Sequence, residues 1–355
     1  MIGKPHYAAG IAAAALCLVS SSSAAASRLS YPSPSTLVAG KDIAAFAQDG
    51  TRIAWLDRSK CASVFTRDLA TGSTRPLVAN ARLTCNAIRN ADESGEALHE
   101  MALSGTRAVW GALAVYWGNE EEGWDKYVFT AAPGETEHQL DSWGSGVFCD
   151  HTEVDSCGFG GTSELVAAAD GTTVFYVNEG SYSEWSDTKP SRVYRVERRK
   201  SLVPSSRDAL RIDAAGGRLA ILLNASGPRT ILVQTIAHAS TVSRFAVSHG
   251  ATEVALDGSM LGVRILDKVG SRLELRRING VRIRSTAVPR SAENFSLAGG
   301  RVVYSVGKSI YLLEASTGKS ALLARAVRPI AGLSIEGRRV AWLELGRGIF
   351  AVALP

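Results

Sequence analysis

One short segment holds most of the side chains that could bind a metal ion. Between Cys149 and Cys157 the sequence places two thiols, one imidazole and three carboxylates within nine residues. Zinc would use the thiols and the imidazole, and calcium the carboxylates, although these do not follow the D-x-D-x-D-G spacing of a calcium loop. Cysteines of exported chains usually oxidise, so a Cys149–Cys157 disulfide is the preferred interpretation. We therefore predict no metal ion and no cofactor, with zinc and calcium as the alternatives.

Aromatic and acidic residues are interleaved on either side of this segment. Such a mixture suits sugar rings, quaternary ammonium groups or basic peptides. The alternative is that the tryptophans only cover a thin core beneath loops. A third possibility is a saccharide hydrolase or lyase that uses Glu121, Asp125 or Asp187, but sequence cannot supply the carboxylate separation that this chemistry needs. The predicted ligand-binding residues are Trp117, Glu121, Trp124, Asp125, Trp143, Tyr182, Trp185 and Asp187.

Charge divides the chain into two unlike halves beneath a formal net charge of +5. Residues 90–190 contain 19 acidic and three basic residues, whereas residues 191–355 contain 26 basic and 11 acidic ones. An uncompensated acidic segment favours a cationic partner. The basic residues are spread over several blades of a chain that we expect to be exported, which argues against nucleic acid. We predict an unknown cationic or saccharide ligand, or an exported protein partner.

The N-terminus has the pattern of a secretory signal peptide over residues 1–26. An apolar stretch from Tyr7 to Val19 leads to Ala24–Ala26, with cleavage expected before Ser27. Thirteen apolar residues are too few to span a bilayer, and Leu16 before Cys17 is unlike a lipoprotein signal. An uncleaved anchor and lipidation are the alternatives. We expect a secreted or periplasmic monomer with no transmembrane segment in the mature chain.

A two-residue turn signal followed by an apolar run recurs seven times. Asp-Gly, Ser-Gly and Gly-Gly supply the positive φ that tight hairpins need. The copies are Asp49-Gly50 before TRIAWL, Ser104-Gly105 before TRAVWG, Asp170-Gly171 before TTVFYV, Gly216-Gly217 before RLAILL, Asp257-Gly258 before SMLGVRIL, Gly299-Gly300 before RVVYSV and Glu336-Gly337 before RRVAWL. An apolar segment precedes each turn and further strands follow it, while helical periodicity is nearly absent beyond the signal.

Seven strand units at this spacing predict an all-β fold, a seven-bladed β-propeller of four-stranded antiparallel blades over residues 41–355. A β-sandwich is the alternative, but it does not need the same turn seven times. The last unit, GIFAVALP, supplies a third strand and no fourth. We therefore expect the N-terminal segment 27–40 to close the ring, with Ser35–Ala39 pairing outside GIFAVA.

Insertions interrupt only the first three units, at residues 80–97, 117–125, 142–163 and 178–190. All four fall in the loop between the second and third strands of a blade or in the crossover to the next blade. These two connections lie on the same face, so we predict a binding rim over blades 1–3. Cys61 and Cys85 occupy the same two positions in the first unit, which predicts a second disulfide, Cys61–Cys85.

The first copy, DGTRIAWL…VFTRDLATGSTRPL, resembles the TolB-like, or WD40-like, propeller repeat. The sixth copy, GGRVVYSV…IYLLEASTGKSALL, repeats the pattern with Glu314-Ala315 in place of Asp68-Leu69. The resemblance covers most of residues 40–355 and implies the propeller architecture. The family includes periplasmic binding scaffolds and the propeller parts of some peptidases. The scaffold's N-terminal α/β domain and a G-x-S-x-G nucleophile motif are both missing here, so neither partner nor chemistry is carried over. A secreted binding scaffold is the predicted function, and the sequence assigns no catalytic residue.

Overall fold

The second strand of each unit determines how the units assemble. In β3, RIAWLD, four consecutive residues are buried, and β15, RLAILL, has five. A strand buried on both faces must lie inside a sheet with other layers on either side. In the computed structural model each unit is a four-stranded antiparallel sheet with this strand second from the inner edge. The structure describes residues 31–59, 62–92, 100–117, 122–147, 167–171, 173–178, 190–197, 200–225, 227–268 and 270–355.

Among the described residues, the first three blades contain twelve strands and one helix. Blade 1 consists of β2 Ile43–Asp49, β3 Arg52–Asp57, β4 Ser63–Asp68 and β5 Thr74–Val78, and is followed by helix α1 Arg82–Asp92. Blade 2 consists of β6 Met101–Ser104, β7 Arg107–Trp117, β8 Glu122–Ala131 and β9 His138–Val147. Blade 3 consists of β10 Ala167–Asp170, β11 Thr173–Asn178, β12 Arg192–Val196 and β13 Lys200–Leu202.

The remaining four blades follow without a helix in the described residues. Blade 4 consists of β14 Ala209–Ala215, β15 Arg218–Leu223, β16 Thr230–Thr235 and β17 Thr241–Ala246. Blade 5 consists of β18 Ala251–Asp257, β19 Met260–Leu266, β20 Ser271–Arg277 and β21 Arg282–Val288. Blade 6 consists of β22 Ala292–Ala298, β23 Arg301–Val306, β24 Ser309–Glu314 and β25 Ser320–Arg325. Blade 7 consists of β26 Ile330–Glu336, β27 Arg339–Glu344, β28 Gly348–Ala353 and β1 Ser35–Ala39.

Hydrophobic packing closes these blades into a ring. The buried apolar residues form seven clusters, and each cluster joins two neighbouring blades. The cluster between blades 7 and 1, for example, packs Leu343 and Ile349 with Ile53 and Trp55. The sequence prediction of a seven-bladed, all-β propeller is therefore confirmed.

In five of the seven blades the hairpin turn lies one residue later than the repeat pattern suggests, whereas in blades 4 and 6 the loop is Gly216-Gly217 and Gly299-Gly300, as in the pattern. In blade 1, Asp49 pairs with Arg52, so the two-residue loop is Gly50-Thr51 and the aspartate is the last residue of its strand. Gly50 has φ of 55°, which places the positive φ at the first loop position, as the mirror-image hairpin turns require. The acidic residue therefore keeps its side chain free for contacts with other blades.

The N-terminal strand β1 pairs antiparallel with β28 and supplies the fourth strand of blade 7. The register joins Ser35 to Ala351 and Ala39 to Gly348. Gly348 has φ of 124°, and a Cβ at this position would collide with the carbonyl oxygen of Val38. The pairing expected from the sequence is thus present, and it depends on a glycine that the repeat pattern does not mark.

Helix α1 was not predicted, and it occupies the first insertion. Glu137, from the loop between β8 and β9, accepts hydrogen bonds from the backbone N–H groups of Leu83 and Thr84 at 2.9 and 3.1 Å. A carboxylate at these free donors stabilises a helix N-terminus. The Thr84 hydroxyl in turn accepts a hydrogen bond from Nε1 of the fully buried Trp110, at 2.8 Å. Tertiary contacts therefore hold α1 between blades 1 and 2.

No helix among the described residues is long and apolar enough to cross a membrane. The predicted signal peptide, residues 1–26, lies outside the described residues. Export and cleavage therefore stay predictions.

Candidate functional site

The structure describes only part of the predicted rim. Backbone positions are given for Trp117 in β7, for Trp124 and Asp125 in β8, and for Trp143 in β9. Glu121, Tyr182, Trp185 and Asp187 lie outside the described residues, as do Cys61, Cys149 and Cys157.

The insertion at residues 117–125 is mostly strand rather than loop, which differs from the sequence interpretation. β7 and β8 extend to the pair Trp117–Glu122, so blade 2 has strands of 11 and 10 residues. Long strands arise here because the cross-strand register continues without a bulge from Ala108 to Trp117. Because of this extension, Trp117, Trp124 and Asp125 are residues of paired strands and not of a loop.

The register of blade 2 brings the three predicted tryptophans to one face. Trp117 pairs with Glu122, two residues before Trp124, and Trp124 pairs with Ser145, two residues after Trp143. Residues that are directly opposite or two apart share a face of a sheet. Val128 lies four residues after Trp124 in β8 and is therefore on the same face, and it belongs to the apolar cluster between blades 2 and 3. The tryptophan positions therefore lie on the face of blade 2 that is directed to blade 3, here called the blade 2–3 junction.

Asp125 lies on the opposite face of β8, so the register does not bring it together with the tryptophan positions. Asp125 directly follows Trp124 in β8, so the two positions are on opposite faces of the strand. The Asp125 carboxylate accepts a hydrogen bond from the hydroxyl of Tyr127 at 3.4 Å. Tyr127 packs against the cluster between blades 1 and 2. Strand alternation, which sequence proximity does not reveal, separates the carboxylate from the aromatic positions.

A polar network at the blade 2–3 junction joins the two blades. Asp141 of β9 accepts hydrogen bonds from the Tyr176 hydroxyl at 2.9 Å and the Asn178 amide at 3.0 Å. Its second oxygen lies 3.0 Å from Nζ of Lys200, and that ammonium group is 5.2 Å from the centre of the Tyr194 ring. Burial, followed by the Asp141 charge, raises the pKa of the Tyr176 hydroxyl. Tyr176 therefore stays a neutral donor to Asp141.

The inner strands of all seven blades surround a cavity of about 1130 Å³, here called the central channel. Carboxylates greatly outnumber guanidinium groups in its wall, which makes the channel attractive to cations. The lining carboxylates are Asp49, Glu100, Asp170, Asp213, Glu253, Asp257, Glu293 and Glu336, and the lining arginines are Arg211 and Arg264.

Four of these carboxylates also hold neighbouring blades together. Asp49, Asp170 and Asp257 accept a hydrogen bond from the backbone N–H of the next blade's turn glycine, at Gly105, Gly217 and Gly300 respectively. Glu336 does the same with Gly50. Sequence reasoning missed this role, although an acidic turn residue in every second copy was a visible signal.

Of the four cysteines in the two predicted disulfides, only Cys85 lies within the described residues. Cys85 is buried in α1, but Cys61 is outside the described residues, so the pairing Cys61–Cys85 stays a prediction. Both members of Cys149–Cys157 lie outside them as well. Within the described ranges, no group of three or more His, Cys, Asp or Glu side chains is arranged to hold a metal ion.

Comparison with known proteins shows the fold. No family model matches the chain, and no curated protein matches its sequence. A chain of the Mitotic Checkpoint Complex superposes with a TM-score of 0.52 at 9% identity, over 92% of this chain and 96% of that chain. BamB from Moraxella catarrhalis gives a TM-score of 0.49 at 12% identity, over 88% and 85% of the two chains. The tricorn protease gives 0.45 at 14% identity, over 85% of this chain and 29% of that chain.

The likeness that exceeds a TM-score of 0.5, together with the seven four-stranded sheets, shows a β-propeller repeat protein. At this level of identity a structural likeness establishes the fold alone. Membership in the TolB-like family stays a prediction.

Proposed function

We propose that the protein is an exported scaffold that binds a cationic group at the blade 2–3 junction. The observation that carries this proposal is the register of blade 2, which gives Trp117, Trp124 and Trp143 positions on one face. Aromatic faces attract ammonium and guanidinium groups, most strongly where these are removed from water. Such groups occur in quaternary ammonium ligands and in the Lys and Arg side chains of a protein partner.

The charge distribution supports a cation rather than an anion. The acidic segment 90–190 contributes most of blades 2 and 3, and the central channel beside them is also acidic. A field of one sign raises the local concentration of the opposite charge and speeds association. A saccharide is the alternative ligand, because sugar rings also stack on aromatic side chains.

The fold is consistent with a scaffold. The neighbour with the TM-score of 0.52 is a chain of a complex, and rigid blades that support long connections are suited to recognition. Export and TolB-like membership belong to this proposal.

Binding of a pentalysine peptide, measured by calorimetry, tests the proposed site. Trp124→Ala and Trp185→Ala should each weaken binding at least tenfold, a loss of about 1.4 kcal/mol, while the free energy of unfolding changes by no more than about 1 kcal/mol. Asp125→Asn, which alters the other face of the same strand, is the matched control and should bind as the wild type does. Affinity should fall as salt rises.

Two results would contradict the proposal. One is that the tryptophan variants lose roughly 3–5 kcal/mol of stability with unchanged binding, as expected of core residues. The other is that Trp124→Ala and Asp125→Asn affect binding equally.

A carboxylate-based hydrolase is the second candidate function, and one observation favours it. Burial raises the pKa of Asp213, in the wall of the central channel, to about 7, as expected of a general acid. Both of its oxygens, however, accept backbone hydrogen bonds, from Leu256 and Ala214. Hydrolysis of an aryl glycoside that disappears in Asp213→Asn would establish this activity.

A further inference from the structure

Asp213 occupies a place in the ring where the other blades have small side chains. It lies two residues before the end of the inner strand of blade 4. The equivalent residue is alanine in four blades, and it is serine in blades 6 and 7, at Ser296 and Ser334. Only blade 4 therefore has a titratable group at this position of the inner strand.

The Asp213 side chain forms the same bond between blades that Ser296 forms. Asp213 Oδ2 accepts a hydrogen bond from the backbone N–H of Leu256 in blade 5, at 2.6 Å. Ser296 Oγ accepts one from the backbone N–H of Ile335 in blade 7, at 3.2 Å. A hydroxyl is thus sufficient for this contact, and blade 4 uses an acid instead.

The surroundings of Asp213 oppose its negative charge. The charges that raise the pKa of its carboxyl are those of Asp257 in blade 5 and Asp170 in blade 3. Burial is the largest cause of its raised pKa, the two backbone hydrogen bonds oppose the rise, and the two aspartates add to it. A partly buried carboxyl beside two like charges binds a proton more strongly than in water.

We propose that the junction between blades 4 and 5 is a proton-dependent latch, with Asp213 as its titrating group. When it is protonated, Asp213 accepts the Leu256 hydrogen bond without repelling Asp170 and Asp257. When it is ionised, three neighbouring carboxylates line one part of the central channel and weaken the junction. The latch is independent of the ligand proposed above.

The direction of the pH effect follows from linkage. The pKa of Asp213 is about 7 in the folded chain against 3.8 ordinarily, so the folded state holds the proton more tightly than the unfolded one. The stability associated with this proton is full below pH 4 and is lost as pH rises through 7.

Thermal unfolding at pH 5.5 and pH 8.0 tests the latch in the ligand-free protein. The melting temperature of the wild type should fall between these pH values by about 5 °C more than that of Asp213→Ser. Ser296→Ala, the matched control at blade 6, should lower the melting temperature equally at both pH values. Parallel pH profiles for the wild type and Asp213→Ser would overturn the proposal.

Hydrogen exchange gives a second readout that needs no substitution. After correction for the intrinsic exchange rate, protection of the Leu256 amide should decrease between pH 6 and pH 8, while protection of the Ile335 amide should not. Equal behaviour of the two amides would also overturn the latch. Because neither experiment includes a ligand, failure of the latch and failure of the proposed function are separate outcomes.

Discussion

Removal of residues 27–40 should lower the melting temperature by about 10 °C. This deletion takes away β1, and with it the hydrogen-bond ladder to β28 and the contacts of Leu37 and Val38 with the cluster between blades 7 and 1. It also removes the carbonyl of Leu37, which accepts a hydrogen bond from Arg67 of blade 1 at 2.5 Å. Together these losses amount to about 4 kcal/mol of unfolding free energy.

Two further variants make this test specific. Deletion of residues 27–30 leaves β1 intact, so this variant should melt as the chain without this deletion does. Gly348→Ala retains every residue of β1 but introduces a Cβ where the carbonyl of Val38 lies, so it should lower the melting temperature too. If the longer deletion melts with the wild type, the ring is not closed by β1.

Trp110→Ala should cost about 3–5 kcal/mol of unfolding free energy, measured by denaturant titration. Trp110 is fully buried, and the centre of its ring lies 6.2 Å from that of Phe129. Its Nε1–H donates a hydrogen bond to the hydroxyl of Thr84 in α1. Deleting the ring opens a cavity between blades 1 and 2 and also leaves the Thr84–Glu137 contact without support. The expected loss of stability is large because the surrounding strands belong to two different blades and cannot move inward to fill the cavity.

Trp110→Phe is the matched variant, since it keeps a six-membered aromatic ring but removes the Nε1–H donor and part of the indole volume. It should cost about 1–2 kcal/mol. A cost below about 1 kcal/mol for Trp110→Ala would show that α1 does not depend on this side chain.

The blades were predictable because a propeller repeats its local signals. Turn glycines and apolar second strands recur in every unit, and β1 was the one apolar segment without another partner. Helix α1 was missed because tertiary partners select it: its N-terminal donors are satisfied by Glu137, 53 residues away from Thr84. A helix that is stabilised by a capping residue far away in the chain gives only a weak signal in the local sequence pattern.

The candidate site was predictable only in part. The tryptophans were found by residue type, and the register places Trp117, Trp124 and Trp143 on one face of blade 2, while their role in binding stays a prediction. Asp125 was placed with them because it is adjacent in sequence, whereas alternation along β8 sends it to the other face. The acidic turn residue in every second copy was a signal of the carboxylates between blades, but Asp213 could not be recognised, because its partner Leu256 lies on another blade, 43 residues along the chain.

The indole N–H signals in an NMR titration with pentalysine test the proposed cation site most directly. The chain has seven tryptophans, of which Trp55, Trp110 and Trp342 are buried in the core. Each signal can be assigned by its absence in a single-substitution variant. We expect the signals of Trp124 and Trp143 to shift together as peptide is added, with Trp110 and Trp342 unchanged. Saturable binding that moves none of the signals of Trp117, Trp124, Trp143 or Trp185, or no binding at low salt, would contradict a cation site at the blade 2–3 junction.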